Sequence, residues 1–388
     1  MKSGACARQL IVAALSFFTA FLPAFDTSLA GEVLVGRWLE PDPGSVLRMD
    51  DPDSGYAGKW QTSGLTYDSH TGIWWSIGDQ NTREAVAGSA EEEERNRSRY
   101  VLRLSFSDEK VFAKPYPLEW QRDVLKVVLD SFKGSDTGNI DFEGIAADPQ
   151  VPNRLYACSE GETPWLVEME YRPGGDTVAV TRALRLETAT DLRPECTANM
   201  LWEGIALAGS GRTIFLVTEC DMASRRLYEI QLDEFHQAGS KGSNGRWIPA
   251  SISPRPLDVD GLEGALTGLC AVVRLGTEYL LALKRNPEPP EIYVVNITSS
   301  SRPAPVRRVP LDLRAPATDG RPEGIPLLSA SPEGIGTDGH RLVIITDPWA
   351  LLYRPADPDE TQVDREKLRR RIPLVFEIEL AKILPPDP

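Results

Sequence analysis

The chain predicts an all-β fold, a β-propeller of five or six blades with one short inserted helix. Three observations carry this expectation. An acidic or polar residue, a glycine and two or three apolar residues recur at Gly64, Gly144, Gly204, Gly264 and Gly334, in steps of 80, 60, 60 and 70 residues. Each step passes through a turn into a strongly β-prone run, which reads as strand, tight turn, strand. A third segment follows most of these pairs with the apolar–polar alternation of a half-exposed strand.

In chain order, residues 1–30 stand apart from the fold. Lys2 and Arg8 form a basic start, LIVAALSFFTAFLPAF is an apolar run, and Ser28, Leu29 and Ala30 are the kind of site a signal peptidase reads. The run is short and closely followed by Asp26, which suits a cleaved leader better than a membrane span. A leader over 1–30 and a single propeller domain over 31–388 are expected. The product would then be periplasmic or secreted, with no membrane span in the mature chain.

EVLVGRWLE, at 32–40, is a strand that either completes the last blade or belongs to a sixth. The repeating units begin at WQTSGLTYDSHTGIWWSIGDQ, NIDFEGIAADPQVPNRLYACSEGE, NMLWEGIALAGSGRTIFLVTECD, LDVDGLEGALTGLCAVVRLGTEYLLALKRN and LSASPEGIGTDGHRLVIITDPW. Their third strands are SRYVLRLSF, PWLVEMEY, RRLYEIQL, EIYVVNI and PLVFEIEL. A β-sandwich also has many short strands, but it does not restart from the same residues at such intervals. Within the first unit the charged stretch at 83–99 reads as a loop. EWQRDVLKVVLDSFKG carries Leu125, Val128, Leu129 and Phe132 at helical spacing, the one inserted helix. GRPEG, at 320–324, reads as a loop, and DREKLRRR as a solvated stretch before the last strand.

Asp and Glu outnumber Lys and Arg by 57 to 42, a net charge of −15. Such a field repels nucleic acid and anionic surfaces, so the expected partner is a small molecule and not a polyanion. Once Cys6 leaves with the leader, Cys158, Cys196, Cys220 and Cys270 remain, and four cysteines allow three pairings. One disulfide, two, or buried free thiols are all compatible with the spacing. No zinc pattern exists, because there is no CxxC and the chain has 3 histidines.

The first strand of each propeller blade lines the central channel. Glu143, Glu203, Glu263 and Glu333 would then form a partial ring, with Ser63 in the fifth place. The second strands return to the same mouth with Asp79, Glu160, Glu219 beside Asp221, Lys284 beside Arg285, and Asp347. So many carboxylates cannot all stay ionised without compensation. A divalent cation is one answer, and an all-oxygen site favours calcium. Lys284 and Arg285 would hold an anionic group beside it. The competing reading is that the glutamates accept backbone hydrogen bonds and pin blade to blade. Nucleophilic catalysis finds little support: His70 and His340 fall in turns, His236 lies in a polar stretch, and no GxSxG exists. Trp74, Trp75, Trp165 and Trp202 read as packing residues, with Trp165 and Trp349 the best candidates for a ligand platform.

Repeated (D/S)xEGI or (L/P)EG steps, strand pairs ending in Asp or Glu and an N-terminal leader resemble the phytase-like propeller family, described as having esterase-like activity of phytase. The resemblance runs from about Trp60 to Leu380. It implies an exported, calcium-dependent phosphoric-monoester or carboxylic-ester hydrolase, with Glu143, Glu203, Glu263 and Glu333 as the matching acids and Asp79, Glu160, Glu219 and Asp347 second. In that scheme Lys284 or Arg285 neutralises charge developing on the substrate. A non-catalytic ligand-binding or scaffold propeller of the cell envelope is the alternative.

Overall fold

A computed structural model of the protein describes residues 33–42, 45, 62–78, 100–107, 110–131, 140–187, 196, 201–220, 226–238, 250–287, 289–298, 303–317, 319–346, 354–355 and 374–385. The expected leader, the loop at 83–99, the DREKLRRR stretch, Asp79, Asp221, Asp347 and Trp349 lie outside the described residues.

Five strand groups surround one axis. Each starts with a hairpin, and in three of them an aspartate anchors the turn. Asp68 accepts from the His70 amide at 2.9 Å, Asp148 from the Gln150 amide at 2.8 Å, and Asp338 from the His340 amide at 3.0 Å. The first group is Gly64–Asp68, Ile73–Ile77, Tyr100–Ser107 and Lys110–Trp120, each antiparallel to the last. The second is Asp141–Ala147, Arg154–Glu160, Trp165–Tyr171 and Val178–Leu186. The third is Gly204–Leu207, Thr213–Val217, Leu227–Gln231 and Arg255–Leu257. The fourth is Ala265–Arg274, Thr277–Asn286, Glu291–Asn296 and Ala304–Ala315. The fifth is Pro332–Thr337, Arg341–Thr346 and Val375–Glu379, completed by the N-terminal strand Leu34–Pro41.

That last pairing settles where EVLVGRWLE goes. Trp38 is opposite Phe376, and the same strand also runs parallel to the outer strands of the fourth and first groups, with Leu34 opposite Leu311 and Glu40 opposite Lys110. One N-terminal strand thus ties three groups together and closes the ring. Leu39, 1 % exposed, packs with Leu65, Trp74, Leu102, Val343 and Val375 across that seam. Leu39→Ala is expected to cost about 2–5 kcal/mol in denaturant unfolding, and a loss below about 1 kcal/mol would contradict this closure.

Glycine is required where the inner strands crowd the axis. A Cβ on Gly64 would lie 2.6 Å from the Ile145 nitrogen, one on Gly144 2.9 Å from the Ile205 nitrogen, and one on Gly204 2.9 Å from the Leu269 nitrogen. Gly268 meets the Glu333 carbonyl, and a Cβ on Gly334 would lie 2.7 Å from the Ser63 carbonyl oxygen. Each contact leads to the next group, and the fifth returns to the first. This is the closed radial arrangement of a propeller. The fourth axial glycine is therefore Gly268 and not Gly264.

Arg122–Ser131 is the inserted helix; among its described side chains Val124 and Val128 are buried and Leu125 is half-buried, while the side chain of Leu129 and residue Phe132 lie outside the described part. The expected apolar stripe was thus displaced by one residue at its start. Two further short helices, Leu232–Ala238 and Leu380–Ile383, were not anticipated. GRPEG leads into a strand, Ile325–Ser329, that folds back on the end of Ala304–Ala315. Among the described residues no helix is long and apolar enough to cross a membrane.

Candidate metal centre

The residue before each axial glycine is pushed out of its ladder. In the second group Phe142 is opposite Ser159 and Gly144 opposite Cys158, so Glu143 has no partner. The fourth group skips Thr267 between Leu266 and Gly268, and the fifth skips Glu333 between Pro332 and Gly334. In the first and third groups two residues share one partner. Ser63 donates to the Ile77 carbonyl at 2.8 Å and Glu203 to that of Val217 at 3.1 Å, while Gly64 and Gly204 are aligned with those same residues. A bulge re-aims the side chain it carries. Here these irregularities bring Ser63, Glu143, Glu203 and Thr267 to one shaft, with Glu333 close enough to act on Glu143 and Glu203.

Glu143, Glu203 and Glu333 are all buried there, at 7 %, 6 % and 8 % exposure. Glu263 is elsewhere. It is exposed in the segment before the strand, its Oε2 3.3 Å from Arg308, and Thr267 occupies the place expected for it. The sequence pattern was misaligned by four residues in this group because EG at 263–264 mimics the step. Gly264 is a positive-φ turn glycine.

The second strands do return to the acidic mouth. Asp141 is directly opposite Glu160, and ligand oxygens of Asp141, Glu143 and Glu160 all lie within 4.8 Å of one another. Glu160 also hydrogen-bonds Glu203. Asp141 escaped the sequence reading, although a residue two positions before Glu143 on a strand faces the same side. Arg285 pairs with both Glu219 and Glu333. Lys284 behaves differently from its neighbour: it is 6 % exposed, and its Nζ lies 3.0 Å from Glu291 Oε2 on the adjoining strand. Arg285 is skipped in the ladder while Lys284 stays in register opposite Glu291, so the expected Lys284–Arg285 pair is split.

These positions have a clear electrostatic consequence. Burial, then Asp141, Glu203, Glu160 and Glu333, hold the Glu143 carboxyl well above the usual carboxylate range. Burial pushes Glu203 up to about 8; Arg285 opposes that rise, while Glu333 and Asp141 add to it. Among the described residues no hydrogen-bond donor or cation partners Glu143. A buried carboxylate in that position needs a proton or a cation. The donors are all oxygen, with no thiolate or imidazole in the cluster, which fits a hard divalent ion such as calcium.

The shaft between the five bulges encloses about 10 Å³, room for a single ion or water but not for an organic molecule. A substrate would have to sit above the ring. The larger hollow, about 270 Å³, opens at the opposite end of the inner strands beside Tyr67, Asp148, Val272 and Asp338. Asp148 and Asp338 each serve a turn there through one carboxylate oxygen. His70 and His340 are exposed in those turns. His236 packs instead on the second group, its Nε2 3.0 Å from Glu168 Oε2. Trp74, Trp75, Trp165 and Trp202 are all buried, which removes Trp165 as a platform.

Cys196 and Cys220 form a disulfide, and Cys158 and Cys270 are buried thiols. The bridge fastens the chain directly after Glu219. Its closed loop, set by a separation of 24 residues, predicts a loss of about 3 kcal/mol in Cys196→Ser/Cys220→Ser, read by thermal unfolding. Equal stability of the double variant and the parent would refute this.

The family model for phytase-like proteins, described as esterase-like activity of phytase, matches residues 60–347. The chain belongs to the phytase-like family. No curated protein matches this phytase-like chain. Among solved structures it is similar to the arabinanase of Bacillus subtilis, at 12 % identity over 82 % of this chain and 96 % of that one, with a TM-score of 0.37. A hypothetical protein from Leishmania major is 9 % identical over 92 % of each chain, with a TM-score of 0.39. Hydrazine synthase of Kuenenia stuttgartiensis is 12 % identical over 81 % of this chain and 74 % of that one, with a TM-score of 0.30.

Proposed function

We propose that this phytase-like chain is an exported hydrolase of small phosphoric monoesters or carboxylic esters, acting with calcium at the acidic channel mouth. The observation that carries the reading is Glu143: a buried carboxylate among four other acids, with no donor among the described residues. Asp141, Glu143, Glu160 and Glu203 would hold the ion, which when bound supplies a Lewis acid for the ester oxygen. Glu203, which burial pushes up to about 8 in the absence of an ion, would give up its proton on joining the ligands. Arg285, paired with Glu219 and Glu333, keeps a positive charge at this mouth. Lys284 has no part, being engaged with Glu291.

The net charge of −15 supports a small substrate over nucleic acid, and the leader-like N-terminus together with the Cys196–Cys220 bridge supports export. Turnover of p-nitrophenyl phosphate and p-nitrophenyl acetate, with and without calcium, tests the proposal. Calcium-dependent release that Glu143→Gln/Glu203→Gln abolishes is expected. A folded, calcium-loaded protein that turns over neither ester would leave a binding or scaffold propeller.

A further inference from the structure

The acidic mouth divides into two halves with different countercharges. In one half Asp141, Glu143 and Glu160 converge, with Glu203 hydrogen-bonded to Glu160. In the other, Glu219 and Glu333 both pair with Arg285. We infer that the Arg285 guanidinium stands in for a second cation, neutralising Glu219 and Glu333 and confining the divalent ion to the Asp141–Glu143–Glu160–Glu203 half. This inference rests on the metal reading above and adds to it what sets the number of ions.

Arg285 reaches the mouth through a bulge of its own. Ala265 is opposite Asn286 and Leu266 opposite Lys284, so Arg285 is skipped in the ladder. Its neighbour Lys284 stays in register and turns to Glu291. At the same end of the second strand the second group carries Glu160, and the third carries Glu219 shortly after its strand ends. The fourth group reverses that sign. It also replaces the axial glutamate with Thr267, whose hydroxyl donates to the Pro332 carbonyl at 2.9 Å. Two acidic positions are therefore lost and one positive charge gained in a single group, next to Glu333 of the following one. Arg285 also opposes the rise in the Glu203 pKa. A guanidinium suits the task because its planar fork can serve two carboxylates at once and keeps its charge at any working pH.

The test counts bound calcium by equilibrium dialysis and metal analysis in alkaline buffer. The parent protein, Arg285→Gln, and Glu219→Gln/Arg285→Gln/Glu333→Gln are compared. The parent is expected to hold a single ion, Arg285→Gln to take up a second, and the triple variant to return to one. A single ion in Arg285→Gln, bound as in the parent, overturns the inference while leaving the metal reading intact. No ion in the parent overturns both. If Arg285→Gln folds only with calcium present, the ion is replacing the guanidinium, which supports the inference. If neither it nor the triple variant folds even with calcium, Arg285 acts through something other than charge and the inference fails.

Discussion

Glutamine in place of Glu143 is expected to weaken calcium binding by more than the roughly 10–100-fold that changes around a metal's ligands produce. The same variant should be more stable than its parent without calcium, by about 1–3 kcal/mol, the usual cost of a buried polar group lacking a partner. Both effects have one cause. The Glu143 side chain is inside the protein, faces Asp141, Glu160, Glu203 and Glu333, and has no donor among the described residues. Its charge is a liability without the ion and a ligand with it. Glutamine keeps the shape and removes the charge. Calorimetric titration and urea unfolding in chelator read the two effects separately. A variant that loses affinity but is also less stable in chelator would show Glu143 to be a structural staple.

The second large effect is on pH. Glu203 titrates near 8 in the folded protein against an ordinary value of 4.5. A carboxyl raised in this way contributes stability that is fully present below its unfolded value and lost as pH rises through its folded value. The calcium-free protein should therefore weaken between about pH 4.5 and 8, by at most about 1.4 kcal/mol per pH unit for this group. Calcium competes with the proton for the same oxygens, so its affinity should rise over that window. Melting curves with calcium and with chelator, at acid and alkaline pH, check the sign. The calcium-induced increase in Tm must be larger at alkaline pH; an equal or smaller increase there would contradict the account.

Much of this architecture was legible in the chain because it rests on local chemistry. The Asp-anchored turns, the β-prone second runs and the glycine demanded at the axis all leave marks in sequence. The acidic mouth was harder, because the physical invariant is a bulge and not a residue type. Ser63, Glu143, Glu203, Thr267 and Glu333 share a backbone irregularity but not a side chain, so reading for glutamate before glycine selected Glu263 over Thr267. The split between Lys284 and Arg285 comes from a second bulge, which composition cannot show. Asp141 was within reach, since strand alternation alone places it beside Glu143. The closure by Leu34–Pro41 was open between two readings because pairing across more than 330 residues leaves no local trace.

Diffraction from crystals soaked in calcium or manganese, with an anomalous difference map, tests the convergence of these carboxylates most directly. The predicted result is a peak in the acidic mouth within about 2.3–2.6 Å of oxygens from Asp141, Glu143 and Glu160. A loaded crystal whose only ions sit on the outer surface, with the acidic mouth filled by water, would contradict it.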